Sequence, residues 1–231
     1  QDLADKSLIN EVESKIEANI RANLALGLQE IVPHRDSDQT VYLLGGGPSL
    51  LAYEAQIVEM ARQGTPCVTT NGAYNWLVGR GIRPAAQVMV DARPFNARFI
   101  QPVMPGVKYL MSGQVHHEIV ASLPRDQTWL WHTDSDLVER TIRSWSTETG
   151  KHHEWHPVCG GTTVMLRALP LLAMLGFRKV EVFGWDSCLE GDQHHAYDQP
   201  ENECKSVVTM KVGGREFKCH PWMSVQAHEV Q

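Results

Sequence analysis

The stretch Val41-Tyr42-Leu43-Leu44-Gly45-Gly46-Gly47-Pro48-Ser49 joins a short apolar run to three glycines and a proline. Four β-prone apolar residues closed by glycine indicate a buried strand, and Pro48 suits the first position of a helix. Because glycine has no Cβ, backbone N–H groups at such a helix start can closely approach an anion. Residues 45–49, the first glycine turn, therefore predict a phosphate-binding turn; a tight turn that only closes the strand is the alternative.

Two common nucleotide-binding motifs do not fit this turn. A GxGxxG pattern beginning at Gly45 would need a glycine where Leu50 stands, and the next strand ends in Asn71 rather than an acid. No lysine follows the turn, as a P-loop requires. The sequence therefore disfavours NAD binding and excludes a P-loop nucleotide triphosphatase.

Strand-like runs alternate with helical patterns beyond the first glycine turn. The further predicted strands are 67–70, 87–90, 107–111, 128–131 and 179–183. A helix is predicted over 162–175. Such alternation is typical of parallel strands joined by crossover helices. We therefore predict an α/β fold, a Rossmann-like open parallel sheet with helices on both faces.

The two ends of the chain differ from this core. Apolar residues recur at helical spacing from residue 3 to residue 28, which predicts a leader helix. Residues 207–219 predict a β-hairpin, and Pro221 begins a helix. We expect a helical leader at 1–40, a nucleotide-binding core at 41–206, and the hairpin with the start of a C-terminal helix at 207–231. The sequence leaves open whether the chain is a fragment of a longer protein.

Composition limits the classes of function. The net charge of -6 argues against a surface that neutralises nucleic-acid phosphates. The five cysteines lack disulfide or zinc-site spacing, which indicates reduced thiols. No apolar run reaches about 18 residues and no signal-peptide pattern is present. We expect a soluble, cytoplasmic protein with no membrane span and no nucleic-acid partner.

Polar and aromatic residues follow the predicted strands at the edge where open parallel sheets bind ligands. Asn71 ends one strand, and its amide suits a base or a sugar. Asp91 follows the next strand and suits a metal, a hydroxyl or a turn cap. Trp185 and Asp186 follow strand 179–183; the indole suits stacking, and the carboxylate suits hydroxyl groups. These four residues are candidate ligand-binding positions.

A second glycine turn, Gly160-Gly161-Thr162-Thr163, opens the helix predicted at 162–175. Its N–H groups and hydroxyls predict a second anion or hydroxyl site. An ordinary helix N-cap is the alternative.

The histidines fit no metal motif. His153-Glu154-Trp155-His156 is one residue short of HExxH, so its imidazoles would not share a helical face, which disfavours zinc. His194 and His195 lie in the polar loop after Asp186, where solvent exposure and a role in the site are both open.

Taken in chain order, these motifs resemble one family. The segments concerned are Leu43 to Leu50, Thr70-Asn71, Gly81-Ile82-Arg83-Pro84, Val90-Asp91, the second glycine turn, Leu175-Gly176-Phe177 and Val182-Phe183-Gly184-Trp185-Asp186. The Asn-bearing helix at Ile16-Glu17-Ala18-Asn19-Ile20 agrees. Over residues 16–222 the chain resembles the MptE-like family, which includes archaeal-type 6-hydroxymethylpterin diphosphokinases and Maf flagellin glycosyltransferases.

The chain is also similar to the bacterial CMP-sialic acid transferases, which implies a nucleotide-linked donor. Gly46 stands where those enzymes carry Asn, so the resemblance does not extend to specificity for a cytidine sugar. In them a histidine beyond the Gly-x-Asp strand is the base. The nearest candidates here are His194, His195 and His220, and Asp186 is a further catalytic candidate.

These observations lead to three hypotheses. The first is a glycosyltransferase that uses a nucleotide-sugar donor and a His or Asp base. The second is a diphosphokinase that uses ATP, with Mg²⁺ held by Asp91 or Asp186. The third is a non-catalytic nucleotide-binding module. The sequence indicates neither the acceptor nor the oligomeric state.

Overall fold

The computed structural model describes residues 11–199 and 206–229, so residues 3–10 of the predicted leader helix lie outside it. The helices are α1 (Glu13–Ala25), α2 (Glu54–Arg62), α3 (Ala73–Val78), α4 (His117–Ala121), α5 (Asp136–Thr149), α6 (Val164–Met174) and α7 (Pro221–His228). The strands are β1 (Gln29–Glu30), β2 (Ser37–Leu44), β3 (Cys67–Thr70), β4 (Ala86–Met89), β5 (Lys108–Ser112), β6 (Thr128–Thr133), β7 (Pro157–Val158), β8 (Phe177–Phe183), β9 (Val208–Val212) and β10 (Arg215–Cys219).

The main sheet has the strand order β1-β6-β5-β4-β3-β2-β8, with β7 paired to β6. Every neighbouring pair in it is parallel. The predicted open parallel sheet is confirmed. Because the strands are parallel, their carboxyl ends lie along one edge, the edge at which such sheets bind ligands.

Helices cover both faces of this sheet. On β2, Val41 and Leu43 point to the face covered by α6, where they join one buried cluster. Tyr42 and Leu44 point the opposite way and pack with residues of α2 and α3. Successive strand residues face opposite sides, so a strand buried on both faces is apolar throughout, as Val41 to Leu44 is.

Two buried asparagines fix helix α1 against the carboxyl edge. The Asn19 amide donates to the carbonyls of Ala92, at 3.4 Å, and Gln114, at 3.2 Å. The Asn23 amide donates to the carbonyls of Gly113 and Val115, at 2.9 and 2.8 Å. These carbonyls belong to the loops after β4 and β5, so the leader helix holds two loops of the ligand edge in place.

The element bounds differ from the expectation where local pattern is weak. Strands β1 and β7 have two residues each and were not predicted. Strand β2 begins at Ser37, four residues before the apolar run from which it was predicted. Helix α6 begins at Val164, because Thr163 is its N-cap and accepts the N–H of Leu166. The division at residues 40 and 206 stays a prediction, and the sheet already takes in residues 29–30 and 37–40.

The C-terminal hairpin and helix are confirmed as β9, β10 and α7. Strands β9 and β10 pair antiparallel through the turn at Gly213 and Gly214. Within the described ranges 11–199 and 206–229, no helix has the length and apolar character needed to span a membrane.

Candidate functional site

A cavity of about 270 Å³ opens at the carboxyl ends of β2, β3, β4 and β8. The predicted site residues that line it are Gly46, Gly47, Asn71, Asp91, Thr162, Thr163, Trp185, Asp186, His194 and His195. The structure thus brings both glycine turns and the residues that follow three strands around one space. The cavity lies at the low end of the size range of ligand pockets.

Six predicted site residues do not line this cavity: Gly45, Pro48, Ser49, Gly160, Gly161 and His220. Gly45 is packed against the Gly184 carbonyl, where a Cβ would clash with that oxygen. Gly160 has φ +128° and faces the Leu166 carbonyl. These glycines allow close backbone packing behind the cavity.

The first glycine turn is held by Asp186. The Asp186 carboxylate accepts the backbone N–H of Ser49 at 2.9 Å. A Cβ on Gly47 would clash with the same carboxylate. An N–H group at the start of the 3₁₀ helix Pro48–Tyr53 therefore already binds an anionic group of the protein, and phosphate binding by this turn stays a prediction.

The segment from His194 to Gln199 lies across the first glycine turn. The Ala196 N–H donates to the Gly46 carbonyl at 2.9 Å. A Cβ on Gly46 would clash with the Tyr197 hydroxyl and come within 2.9 Å of the His195 ring. Burial raises the pKa of Tyr197, so its phenol stays protonated. Gly46 is therefore required by close packing against Tyr197, whatever else it contacts.

Two residues of the cavity wall carry an amide oxygen that has no hydrogen-bond partner among the described residues. These oxygens are Asn71 Oδ1 and Gln199 Oε1, both buried. Asn71 also has φ +45°, a backbone conformation rare outside glycine, and its carbonyl accepts from the Gln87 amide at 2.9 Å. Buried acceptors without a partner cost free energy, and strained backbone concentrates at binding sites. Both oxygens suit a ligand that supplies N–H or O–H donors.

Asp91 is paired with Arg93. The Asp91 carboxylate accepts from the Arg93 backbone N–H at 2.9 Å and from its Nε at 3.0 Å, and Nη2 completes the pair. Among the described residues that line the cavity, Arg93 is the only Lys or Arg. A guanidinium at this place suits an anionic ligand.

The second glycine turn already binds a carboxylate. Thr162 donates its backbone N–H and its hydroxyl to Glu229 Oε2, at 3.0 and 2.7 Å. Glu229 follows helix α7, so the anion comes from the far end of the described chain. Thr163 instead caps α6. Of the two interpretations of this turn, Thr162 fits an anion site and Thr163 fits an N-cap.

The three candidate histidines form a row. His194 Nδ1 lies 2.5 Å from His195 Nδ1, and the His194 and His220 rings are 5.6 Å apart. His220 Nδ1 lies 2.8 Å from the Ser206 carbonyl, which can only accept, so this nitrogen carries a proton. His220 does not line the cavity, but its ring packs on two residues of the cavity wall, His194 at 5.6 Å and Trp222 at 5.9 Å.

Burial separates the basicities of the two histidines in the cavity. It lowers the pKa of His195 to about 4, with a further contribution from His194. It also lowers the pKa of His194, with a contribution from His220. Both imidazoles are therefore neutral at pH 7, and His195 is the weak base of the two.

Sequence reasoning missed several residues of the cavity wall. They are Arg93, Tyr197, Gln199, Trp222, Met223 and Gln226. Arg93 carried a signal, because it stands two residues after Asp91 at a strand end. The others come from the loop before residue 200 and from α7. No local sequence pattern predicts that α7 packs at the edge of the sheet.

The chain matches the model of a known protein family. The model of the family described as 6-hydroxymethylpterin diphosphokinase MptE-like matches residues 14–192. The chain belongs to the MptE-like family. No curated protein sequence matches this chain.

A solved structure shares the fold of this MptE-like chain. It is the Maf glycosyltransferase from Magnetospirillum magneticum AMB-1, with a TM-score of 0.64 and 15% sequence identity. The match covers 93% of this chain and 33% of the Maf protein. The chain thus spans a third of that protein's length, and the likeness shows the fold.

Proposed function

We propose that this chain is a nucleotide-dependent group transferase, a glycosyltransferase that takes a nucleotide-activated sugar. The observation that carries the proposal is that one cavity is lined both by anion-binding groups and by amide side chains with an unpartnered oxygen. The turn at Thr162 and the guanidinium of Arg93 suit donor phosphates. The amide oxygens of Asn71 and Gln199 suit the hydroxyl or amino donors of a sugar or a base.

Carboxylates of the protein occupy the groups that would bind phosphate. Glu229 accepts hydrogen bonds from Thr162, and Asp91 accepts them from Arg93. A phosphate is a stronger acceptor at such donors and can replace an exposed carboxylate. Trp185 and Trp222, both in the cavity wall, offer flat faces on which a base or sugar ring can stack.

The proposed chemistry needs one proton acceptor. An acceptor hydroxyl attacks the anomeric carbon, the bond from that carbon to the donor phosphate oxygen breaks, and the nucleotide leaves with the bonding electrons. The hydroxyl proton passes to an imidazole. His194 suits this role, because it lines the cavity and is a stronger base than His195. The phosphate charge that develops would be met by Arg93 and the Thr162 turn.

The family description favours a second candidate, an ATP-dependent diphosphokinase. That reaction would draw on Mg²⁺ bridging the ATP phosphates, with Asp91 or Asp186 as anchors. Both carboxylates line the cavity, but each is held by protein donors, Asp91 by Arg93 and Asp186 by the Ser49 N–H. Either carboxylate would have to leave its protein donor to hold Mg²⁺, whereas the Thr162 turn is closed only by the exposed Glu229, which a donor phosphate can replace.

A thermal-shift screen tests the proposal. CMP-, UDP- and GDP-sugars are compared with ATP, each with and without Mg²⁺, because a ligand that binds only the native state raises its stability by RT ln(1 + [L]/Kd). We expect one nucleotide sugar to raise Tm without Mg²⁺. A shift by ATP that requires Mg²⁺ would support the diphosphokinase instead, and no shift by any compound would contradict nucleotide binding, whether in a transferase or in a non-catalytic module.

A further inference from the structure

Glu30, His132 and His153 meet at the edge of the sheet, outside the cavity described above. Each offers one ligand atom, and these three atoms all lie within 4.8 Å of one another. His132 Nε2 lies 3.3 Å from Glu30 Oε1, and His153 Nε2 lies 3.0 Å from the same oxygen. None of the three residues lines the cavity at the carboxyl edge.

Three separate segments bring these side chains together. Glu30 is on β1 and His132 is on β6, two adjacent parallel strands. His153 lies in the segment between α5 and β7. The His132 side chain is only 1% exposed, and its ring packs against Gly113, where a Cβ would clash with it. The position of the His132 imidazole is therefore fixed by the core.

Aromatic side chains hold the other histidine. The His153 ring lies edge-on to Trp145 at 6.0 Å and to His132 at 5.8 Å, while Trp155 packs on His132 at 5.6 Å. His153 is 16% exposed and Glu30 is 12% exposed. The cluster is thus a nearly enclosed, preformed group rather than a set of mobile surface side chains.

Contacts within the protein do not satisfy this cluster. Within the described part of the chain, the buried His153 Nε2 has no hydrogen-bond partner, because its 3.0 Å approach to Glu30 has the distance of an ion pair without the direction of a hydrogen bond. His132 Nε2 shares a hydrogen bond with Glu30 Oε1 at 3.3 Å, whereas His132 Nδ1 is buried without a partner among the described residues. Two imidazoles and a carboxylate gathered in this way are a typical arrangement of metal ligands.

Two of the three ligand separations agree with tetrahedral coordination. Ligands about 2.0–2.1 Å from a zinc ion stand roughly 3.3 Å from one another. The two measured separations, 3.3 and 3.0 Å, lie near this value. We propose that Glu30, His132 and His153 form a binding site for a first-row divalent metal of the Zn²⁺ class, with a fourth position for water.

The site would act on the cavity through the chain that follows it. From His153 the chain runs into β7, which pairs with β6 at His132 and Thr133, and then into the second glycine turn. A metal that ties His153 to β1 and β6 would restrain the segment that positions Thr162. The proposed role of the metal is structural, since none of its three protein ligands lines the cavity.

Metal titration of the metal-stripped protein tests this proposal. Co²⁺ is the spectroscopic probe, because tetrahedral Co²⁺ absorbs in the visible range, and Zn²⁺ is then used to displace it. We expect one equivalent to bind and to raise Tm. His153→Ala and Glu30→Gln should each weaken binding at least about 100-fold, the upper range for loss of a supporting group around a metal.

His152→Ala is the matched control, since His152 is exposed and outside the cluster. It should bind metal as the parent protein does. Glu30→Gln keeps the shape of the side chain, so its folding is checked by its Tm without metal. Absence of Co²⁺ or Zn²⁺ binding in the parent protein would overturn the proposal and leave an ion-pair cluster only. Unchanged binding in a folded His153→Ala variant would overturn it as well.

Discussion

The two glycine turns open helices at the same edge of the sheet, yet they are held differently. In the first, the carboxylate on the turn is Asp186, which follows the neighbouring strand β8, and Tyr197 is packed against Gly46. In the second, the carboxylate is the exposed Glu229, which arrives from the end of α7. The first turn is built into the core, whereas the second is closed by a group that a ligand can displace.

This difference separates two reasons for a glycine. A glycine turn predicts close approach of some group to the backbone, but that group can be another part of the protein. At Gly46 and Gly47 the protein supplies Tyr197 and Asp186. At Gly161, a Cβ would stand 2.6 Å from Glu229 Oε2. We therefore expect exchangeable anion binding at Thr162, with the first turn as a rigid wall beside it.

The largest expected effect is at Gly46. Gly46→Val should cost about 1–3 kcal/mol of stability through overpacking against Tyr197 and lower donor affinity at least about 100-fold. The double variant Gly46→Val/Tyr197→Ala should regain stability but not affinity. Thermal unfolding and calorimetry measure both, with Tyr197→Ala as the control. Full recovery of affinity in the double variant would show that Gly46 serves Tyr197 alone.

The next effect concerns His194, the proposed base. His194→Ala should lower turnover about 100-fold with donor affinity nearly unchanged, the scale of a lost general base. Because burial lowers the pKa of His194, this imidazole is neutral at pH 7. The rate should fall only at a pH below about 6.5, the ordinary pKa of histidine. Steady-state rates across pH test both points. Equal rates in His194→Ala and His152→Ala would eliminate this histidine as the base.

A smaller effect distinguishes the two threonines of the second turn. Thr162→Ala removes a hydroxyl donor to the anion and should weaken donor binding about tenfold, with little change in stability. Thr163→Ala removes the N-cap of α6 and should cost about 1 kcal/mol of stability, with affinity nearly unchanged. Each variant is the control for the other. The opposite pattern would place the anion on Thr163.

The smallest effect concerns Glu229. Its carboxylate is exposed, so its bond to Thr162 is worth little, roughly 0.2–1 kcal/mol. Glu229→Gln should therefore tighten donor binding about two- to fivefold. Glu216→Gln on the hairpin removes the same charge at a distance and should change nothing. A weaker donor complex in Glu229→Gln would mean that this carboxylate helps to hold the ligand.

Most of the fold was predictable because its strands have a clear sequence pattern. Apolar runs such as Val41 to Leu44, closed by glycine, mark strands buried on both faces. Strands β1 and β7 were missed, since two residues carry no periodicity and exist only through pairing with β6. The helix start at Val164 was also not predicted, because the capping role of Thr163 depends on a contact with Leu166.

The candidate site was predictable as far as the carboxyl-edge rule reaches. That rule identified Asn71, Asp91 and Asp186 from their places after strands, and their roles in binding remain predictions. It could not identify Tyr197 or Trp222, which reach the cavity only through tertiary packing. The metal-ligand cluster was invisible for the same reason, since residues 30, 132 and 153 have no common motif.

The central claim is that a nucleotide donor binds between the two glycine turns. Backbone amide resonances of Gly46, Gly47 and Thr162 test it directly when CMP, UMP, GMP or ATP is added to the protein at millimolar concentration. We expect one nucleotide to shift all three amides in a saturable manner, while Gly213 and Gly214 in the hairpin stay unchanged. Saturable shifts confined to other parts of the chain, or none with any of the four nucleotides, would contradict the account.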